Sequence, residues 1–200
     1  MQDGSGGMES KIMKLTRFLC YVLLATVWVT CVTGKAVHAM ESKIVVLDPL
    51  PKSAEEIVPA KTPQQTAAYA IAALVRYTED AEAGIAMLDK LRGPRPLNNF
   101  NKQFLRDQLR GKEYTARSYF NGATPDNNYM PGMPYTLTVS ETPYSYQNKD
   151  YAQLWVKSGG ADNPRPITMR LKPSTGEWYL WEYEGLLAGI RIPAKDDPWR

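Results

Sequence analysis

The amino-acid sequence predicts an α+β domain in which three N-terminal helices pack on a five-stranded antiparallel sheet. Two observations carry this expectation. From Thr62 to Gly111 the apolar residues recur every three or four positions, the period of a helix; after Gly111 they alternate, the period of a strand. The alternating segments are joined by turns too compact for parallel crossovers, so the strands run antiparallel. Helices first and a meander later put the helices on one face of the sheet.

The elements follow in order. Thr62-Pro63-Gln64-Gln65 opens the first helix: Thr62 caps, Pro63 sits at the first helical position and Gln65 completes a capping box. Ala67, Ala70, Ile71, Leu74 and Val75 form its apolar face, and the alanines permit close packing. Thr78 caps a second helix whose inward residues are Ala81, Gly84, Ile85, Leu88 and Leu91. A glycine in mid-helix costs about 1 kcal/mol, so Gly84 implies the close approach of another element. Gly93-Pro94 stops this helix. Asn98 or Asn99 starts a third, with Phe100, Phe104, Leu105 and Leu109 inward.

The strands are expected over Glu113–Phe120, Tyr135–Thr142, Tyr151–Ser158, the segment around Ile167, Met169 and Leu171, and the aromatic run that begins at Glu177. Residues 40–62 read as an extended linker, because Pro49, Pro51 and Pro59 keep them out of a helix. The alternative is that Ile44–Leu47 adds a strand to the sheet edge. Residues 63–200 then form one domain.

Residues 1–39 have the pattern of a signal peptide. Lys11, Lys14 and Arg17 precede an apolar run from Phe18 to Val32, and Val37-His38-Ala39 offers a cleavage site after Ala39. That places the mature chain outside the cytoplasm, in the periplasm or the extracellular space. An uncleaved anchor is the alternative, though an apolar run of about 15–17 residues is short for a bilayer. Both cysteines (Cys20 and Cys31) and the single histidine (His38) leave with the leader. The mature chain then has neither thiol nor imidazole. Disulfides, Cys-His nucleophiles, Ser-His-Asp triads and the usual zinc sites are excluded together. No metal and no cofactor is expected. The leader takes four of the 24 basic and two of the 21 acidic residues, leaving 20 and 19. So balanced a chain gives no reason to expect a nucleic-acid partner.

Several segments resemble a bacterial family of unknown function. They are Gly93-Pro94-Arg95-Pro96-Leu97, Phe104-Leu105-Arg106-Asp107, the run Arg117-Ser118-Tyr119-Phe120-Asn121-Gly122-Ala123-Thr124-Pro125 with its continuation to Tyr129, Pro134-Tyr135-Thr136, Ser158-Gly159-Gly160-Ala161-Asp162-Asn163-Pro164-Arg165-Pro166, Trp178-Tyr179-Leu180-Trp181-Glu182 and the closing Asp197-Pro198-Trp199. The resemblance implies one intact α+β domain over about residues 55–200. It brings no catalytic residues.

Four features could carry chemistry. On the outer sheet face, Tyr151, Trp155, Lys157, Arg170 and Lys172 share a side, joined either by Trp178 or by Tyr179, Trp181 and Tyr183. Successive strand residues point to opposite faces, so Trp178 and Trp181 are not both exposed by strand geometry alone. Such a face suits a sugar ring or a partner protein of the cell envelope, and the bland alternative is ordinary packing. The loop Asn121–Pro134, with Tyr129 within it, reads either as a binding rim or as a packed crossover. Asp126-Asn127-Asn128 is too sparse an oxygen set for calcium. The basic residues from Arg92 to Arg117 suit an anionic surface or a solvated helix face. Glu182 and Glu184 lie two apart on a strand, roughly 7 Å, a spacing compatible with an inverting glycan hydrolase. A third reading is a curved sheet enclosing a small ligand, as in NTF2-like cones.

Overall fold

Helix α1 (Pro63–Glu79) begins where its sequence requires: the Thr62 hydroxyl accepts a hydrogen bond from the Gln65 N–H at 3.3 Å, and Pro63 occupies the first turn. The computed structural model describes residues 40–199, so the leader expected over residues 1–39 lies outside the described residues. Helix α2 (Ala81–Arg92) is capped by Asp80, whose Oδ1 accepts from the Ala83 N–H at 3.1 Å. The expected cap, Thr78, instead donates its hydroxyl to the Val75 carbonyl, because it still lies inside α1. At Gly84 an added Cβ would stand 2.3 Å from the Tyr77 Cα, so α1 and α2 meet backbone to backbone there. Helix α3 (Asn99–Leu109) starts from a reciprocal cap between Asn98 and Asn101. It buries Leu105 and Leu109, whereas Phe100, expected inward, is 74% exposed.

The five strands form one antiparallel meander in the order β1-β2-β3-β4-β5: β1 Glu41–Leu47, β2 Tyr135–Glu141, β3 Tyr151–Val156, β4 Arg165–Lys172 and β5 Glu177–Glu182. The helices therefore do not all precede the sheet. Residues 41–47 supply the edge strand, paired with β2 along its whole length, in place of a linker. The segment expected as the first strand, Glu113–Phe120, is a helical turn, α4 (Tyr114–Arg117), and only Phe120 bridges to Leu137. Its hydrogen bonding shows why. Thr115, Ala116, Ser118, Tyr119 and Phe120 are all buried around a turn closed by local hydrogen bonds, the Ser118 N–H donating to the Tyr114 carbonyl at 2.9 Å.

Alternation holds along the sheet interior. Leu137, Val139, Ala152, Leu154, Val156, Ile167, Met169 and Leu180 are buried and point to one side. Helix α1 lies across this side and touches all five strands. Its Ala67, Ala70, Ile71 and Leu74 are fully buried in the shared core.

The loop Asn121–Pro134 is filled rather than open. The Asn127 side chain donates to the Gly122 and Met130 carbonyls, and Tyr129 is buried with its hydroxyl donating to the Arg191 carbonyl at 2.6 Å. The Ser158-Gly159-Gly160 turn packs on this loop. Ser158 Oγ meets Ser118 Oγ at 2.8 Å, and a Cβ on Gly159 would stand 1.8 Å from the Ala123 carbonyl oxygen.

Candidate functional site

The site begins with an irregularity in β5. Met169 pairs with Leu180, but Thr168 pairs with Glu182, so Trp181 is an extra residue on β5. Such a bulge changes the side to which later residues point. Leu180 is buried inward, Glu182 faces outward opposite Thr168, and Tyr183 turns back into the core with 1% exposure. Tyr183 therefore leaves the outer set with which strand alternation had placed it.

A bulge leaves backbone groups without ladder partners. Arg92, at the end of α2 and buried, supplies one. Its Nη1 donates to the Trp181 carbonyl at 3.2 Å and its Nε to the Arg95 carbonyl at 2.9 Å. One guanidinium thus ties the Gly93–Leu97 segment to the bulged strand. Gly93 makes the turn between them: its φ is +59°, and a Cβ would stand 2.6 Å from the Tyr179 ring. The Leu97 N–H is held by Asp89 Oδ1 at 2.6 Å.

This framework carries Arg95 onto the outer face of the sheet. Its guanidinium carbon lies 3.7 Å from the centroid of the Trp181 ring. Arg170 Cζ lies 4.7 Å from the same ring and 5.3 Å from the Tyr151 ring, and Tyr151 meets Trp181 edge-on at 5.3 Å. Cations over indole faces are held by the ring quadrupole. Trp181 stands between three open clefts. One of about 490 Å³ is lined by Asn98, Asn101, Gln153, Thr168, Glu182 and Glu184 among others. A second of about 490 Å³ includes Ser145, Asn148, Lys149 and Tyr151, and a third of about 350 Å³ includes Pro94, Arg170, Lys172 and Tyr179.

The carboxylates in the first cleft have separate partners. Glu182 Oε2 accepts from the Thr168 hydroxyl at 3.2 Å, and Glu184 Oε2 accepts from the Tyr183 N–H at 2.9 Å. Glu184 opens a short 3-10 turn, Glu184–Leu187, so the even two-residue spacing of a strand does not apply to the pair. At the far end of β5 the Thr175 and Tyr179 hydroxyls hold the Glu177 carboxyl below the usual carboxylate range. Among the described residues no group of three or more His, Cys, Asp or Glu side chains could hold a metal ion.

The structure brings together Tyr151, Arg170 and Trp181 of the residues singled out from sequence, and separates the others. Trp155 lies on the outer face opposite Pro166 but lines none of these clefts. Trp178 packs on the core side, where its N–H donates to the Ala60 carbonyl and its own carbonyl accepts from the Thr66 hydroxyl. Tyr129 is a buried pin stacked on Tyr114 at 5.5 Å.

A family model described as a domain of unknown function, DUF6935, matches residues 49–194. The chain belongs to the DUF6935 family. Comparison with curated proteins and with solved structures found no match. In this DUF6935 domain the matched region holds the helices, β2 to β5 and the whole site, while β1 lies just before it. Sequence reasoning named Arg92 and Arg95 only within the basic stretch Arg92–Arg117 and did not join them to the aromatic face. Their signal was present in Gly93-Pro94-Arg95-Pro96-Leu97, a helix stop followed by an exposed arginine, but nothing local says that this turn lies against β5.

Proposed function

We propose that this is an exported, non-catalytic domain that binds a cell-envelope polymer or protein through the outer aromatic face of its sheet. The convergence of Trp181, Tyr151, Arg95 and Arg170 between three open clefts carries this reading. Aromatic rings and arginines concentrated on one open face are what recognition surfaces enrich. Export rests on the composition of residues 1–39. The test is tryptophan fluorescence of the full chain, titrated with peptidoglycan fragments and other envelope glycans. A saturable shift lost in Trp181→Ala supports the reading. A shift unchanged in Trp181→Ala places binding elsewhere and ends it.

A second reading, a carboxylate-based glycan hydrolase, draws on one observation: Glu182 and Glu184 line the same cleft. It requires Glu182→Gln to abolish glycan hydrolysis. Binding without any hydrolysis in the wild type removes it.

A further inference from the structure

We infer that the Arg95–Trp181–Arg170 cluster takes an acidic oligosaccharide, one carrying carboxylates on hydroxyl-bearing sugar rings. The inference rests on the outer face being the binding surface. It concerns what that surface selects.

The stacking geometry decides the first step. At 3.7 Å from the ring centroid, the Arg95 guanidinium is in van der Waals contact with a face of Trp181. A neutral sugar that binds by stacking needs that face. The arginine occupies it, and offers its own N–H edge instead. A stacked guanidinium keeps its donors in plane and free for a planar bidentate acceptor.

The charge balance decides the second. Arg95 and Arg170 share one indole and both are exposed. Among the described residues neither is ion-paired, although Glu182 and Glu184 stand in the adjoining cleft with other partners. Two cations gathered on one ring repel each other, and an anion between or beside them relieves that repulsion.

The adjoining cleft decides the third. Asn98, Asn101, Gln153, Thr168, Glu182 and Glu184 supply amide donors, amide acceptors and carboxylate acceptors, a set that reads hydroxyl groups. The same two glutamates oppose a chain of bare charges with no hydroxyls to donate to them, such as polyphosphate. A chain whose rings carry a carboxylate beside free hydroxyls suits both halves. The clefts on either side of Trp181 are open, so the oligomer can continue past it.

The experiment titrates the full chain with four probes: oligogalacturonate, its methyl ester, neutral dextran and polyphosphate. Binding is read by calorimetry at low salt and at about 0.15 M salt. Oligogalacturonate is expected to bind and to weaken with salt. Arg95→Gln and Arg170→Gln are each expected to weaken it about tenfold, the scale of one charge-assisted hydrogen-bonded contact. Both side chains are exposed, so circular dichroism of either variant should match the wild type. Equal binding of the methyl ester, tighter binding of polyphosphate, or no binding of oligogalacturonate would each overturn the inference. Binding of the ester or of dextran that is lost in Trp181→Ala would overturn it while leaving the outer face as the binding surface.

Discussion

Replacing Arg92 with methionine keeps the aliphatic stem and removes the guanidinium that joins α2, the Arg95 turn and the bulged strand. Two hydrogen bonds from a charged donor disappear, and the carbonyls of Trp181 and Arg95 lose their partner. The side chain is buried, with 6% exposure, so water is poorly placed to replace it. Hydrogen bonds to charged groups contribute about 1.5–3 kcal/mol each, and the relief of desolvating the cation offsets part of that. A net destabilisation of about 3 kcal/mol follows. For a domain of this size that lowers the melting temperature by roughly 6–12 °C. Urea unfolding followed by tryptophan fluorescence measures it by linear extrapolation. Arg92→Lys keeps the charge but lacks the fork that reaches both carbonyls, and is expected to lose about 1–2 kcal/mol. If Arg92→Met stays within about 0.5 kcal/mol of the wild type, the guanidinium does not hold the bulge, and the account of how Arg95 reaches Trp181 is wrong.

Three further outcomes are expected. Gly93→Ala combines a positive φ with a Cβ 2.6 Å from the Tyr179 ring, and should cost about 2–3 kcal/mol in the same urea assay; a neutral result would mean the turn relaxes freely. Leu47→Ala should cost about 2–4 kcal/mol and Ile44→Ala less than about 0.5, because Leu47 is 3% exposed and Ile44 69%; equal, negligible effects would mean that residues 41–47 behave as a linker. At alkaline pH the buried Tyr119, Tyr129 and Tyr183 matter: desolvation raises all three, Tyr129 up to about 12. A raised phenol pKa contributes stability that is full below the unfolded value near pH 10 and is lost as pH rises through the folded value. Stability should therefore fall above about pH 10, with these phenols ionising only as the chain unfolds; absorbance near 295 nm that rises fully before loss of circular dichroism would contradict this.

Much of the frame was legible because its signals are local. Thr62-Pro63, Gly93 and Asn98 mark helix ends through hydrogen bonds and φ angles settled within a few residues. The alternation in Tyr135–Glu141 and Tyr151–Val156 matches the faces they present. Glu113–Phe120 misled because a short alternation of polar and apolar residues fits a helical turn with two buried sides as well as a strand. Glu41–Leu47 was ambiguous because its outward Ile44 and Val46 have no apolar cover, so pattern alone does not separate an edge strand from a linker.

The motif segments divide in a way that only the folded chain shows. Arg117–Tyr129 and Ser158–Pro166 close on each other through Ser118, Ser158, Gly159 and Tyr129, and build a packed corner. Gly93–Leu97 and Trp178–Glu182 meet at the outer face and build the site. Sequence by itself determined helices α1 to α3, four of the strands, the lack of thiol and imidazole after residue 39, and the candidacy of Tyr151, Arg170 and Trp181. Tertiary structure decided which aromatics face outward, because one extra residue in β5 reverses the side of everything after it. It also decided that Arg95 covers Trp181, since that contact spans 86 positions and depends on a buried arginine reaching across from another element.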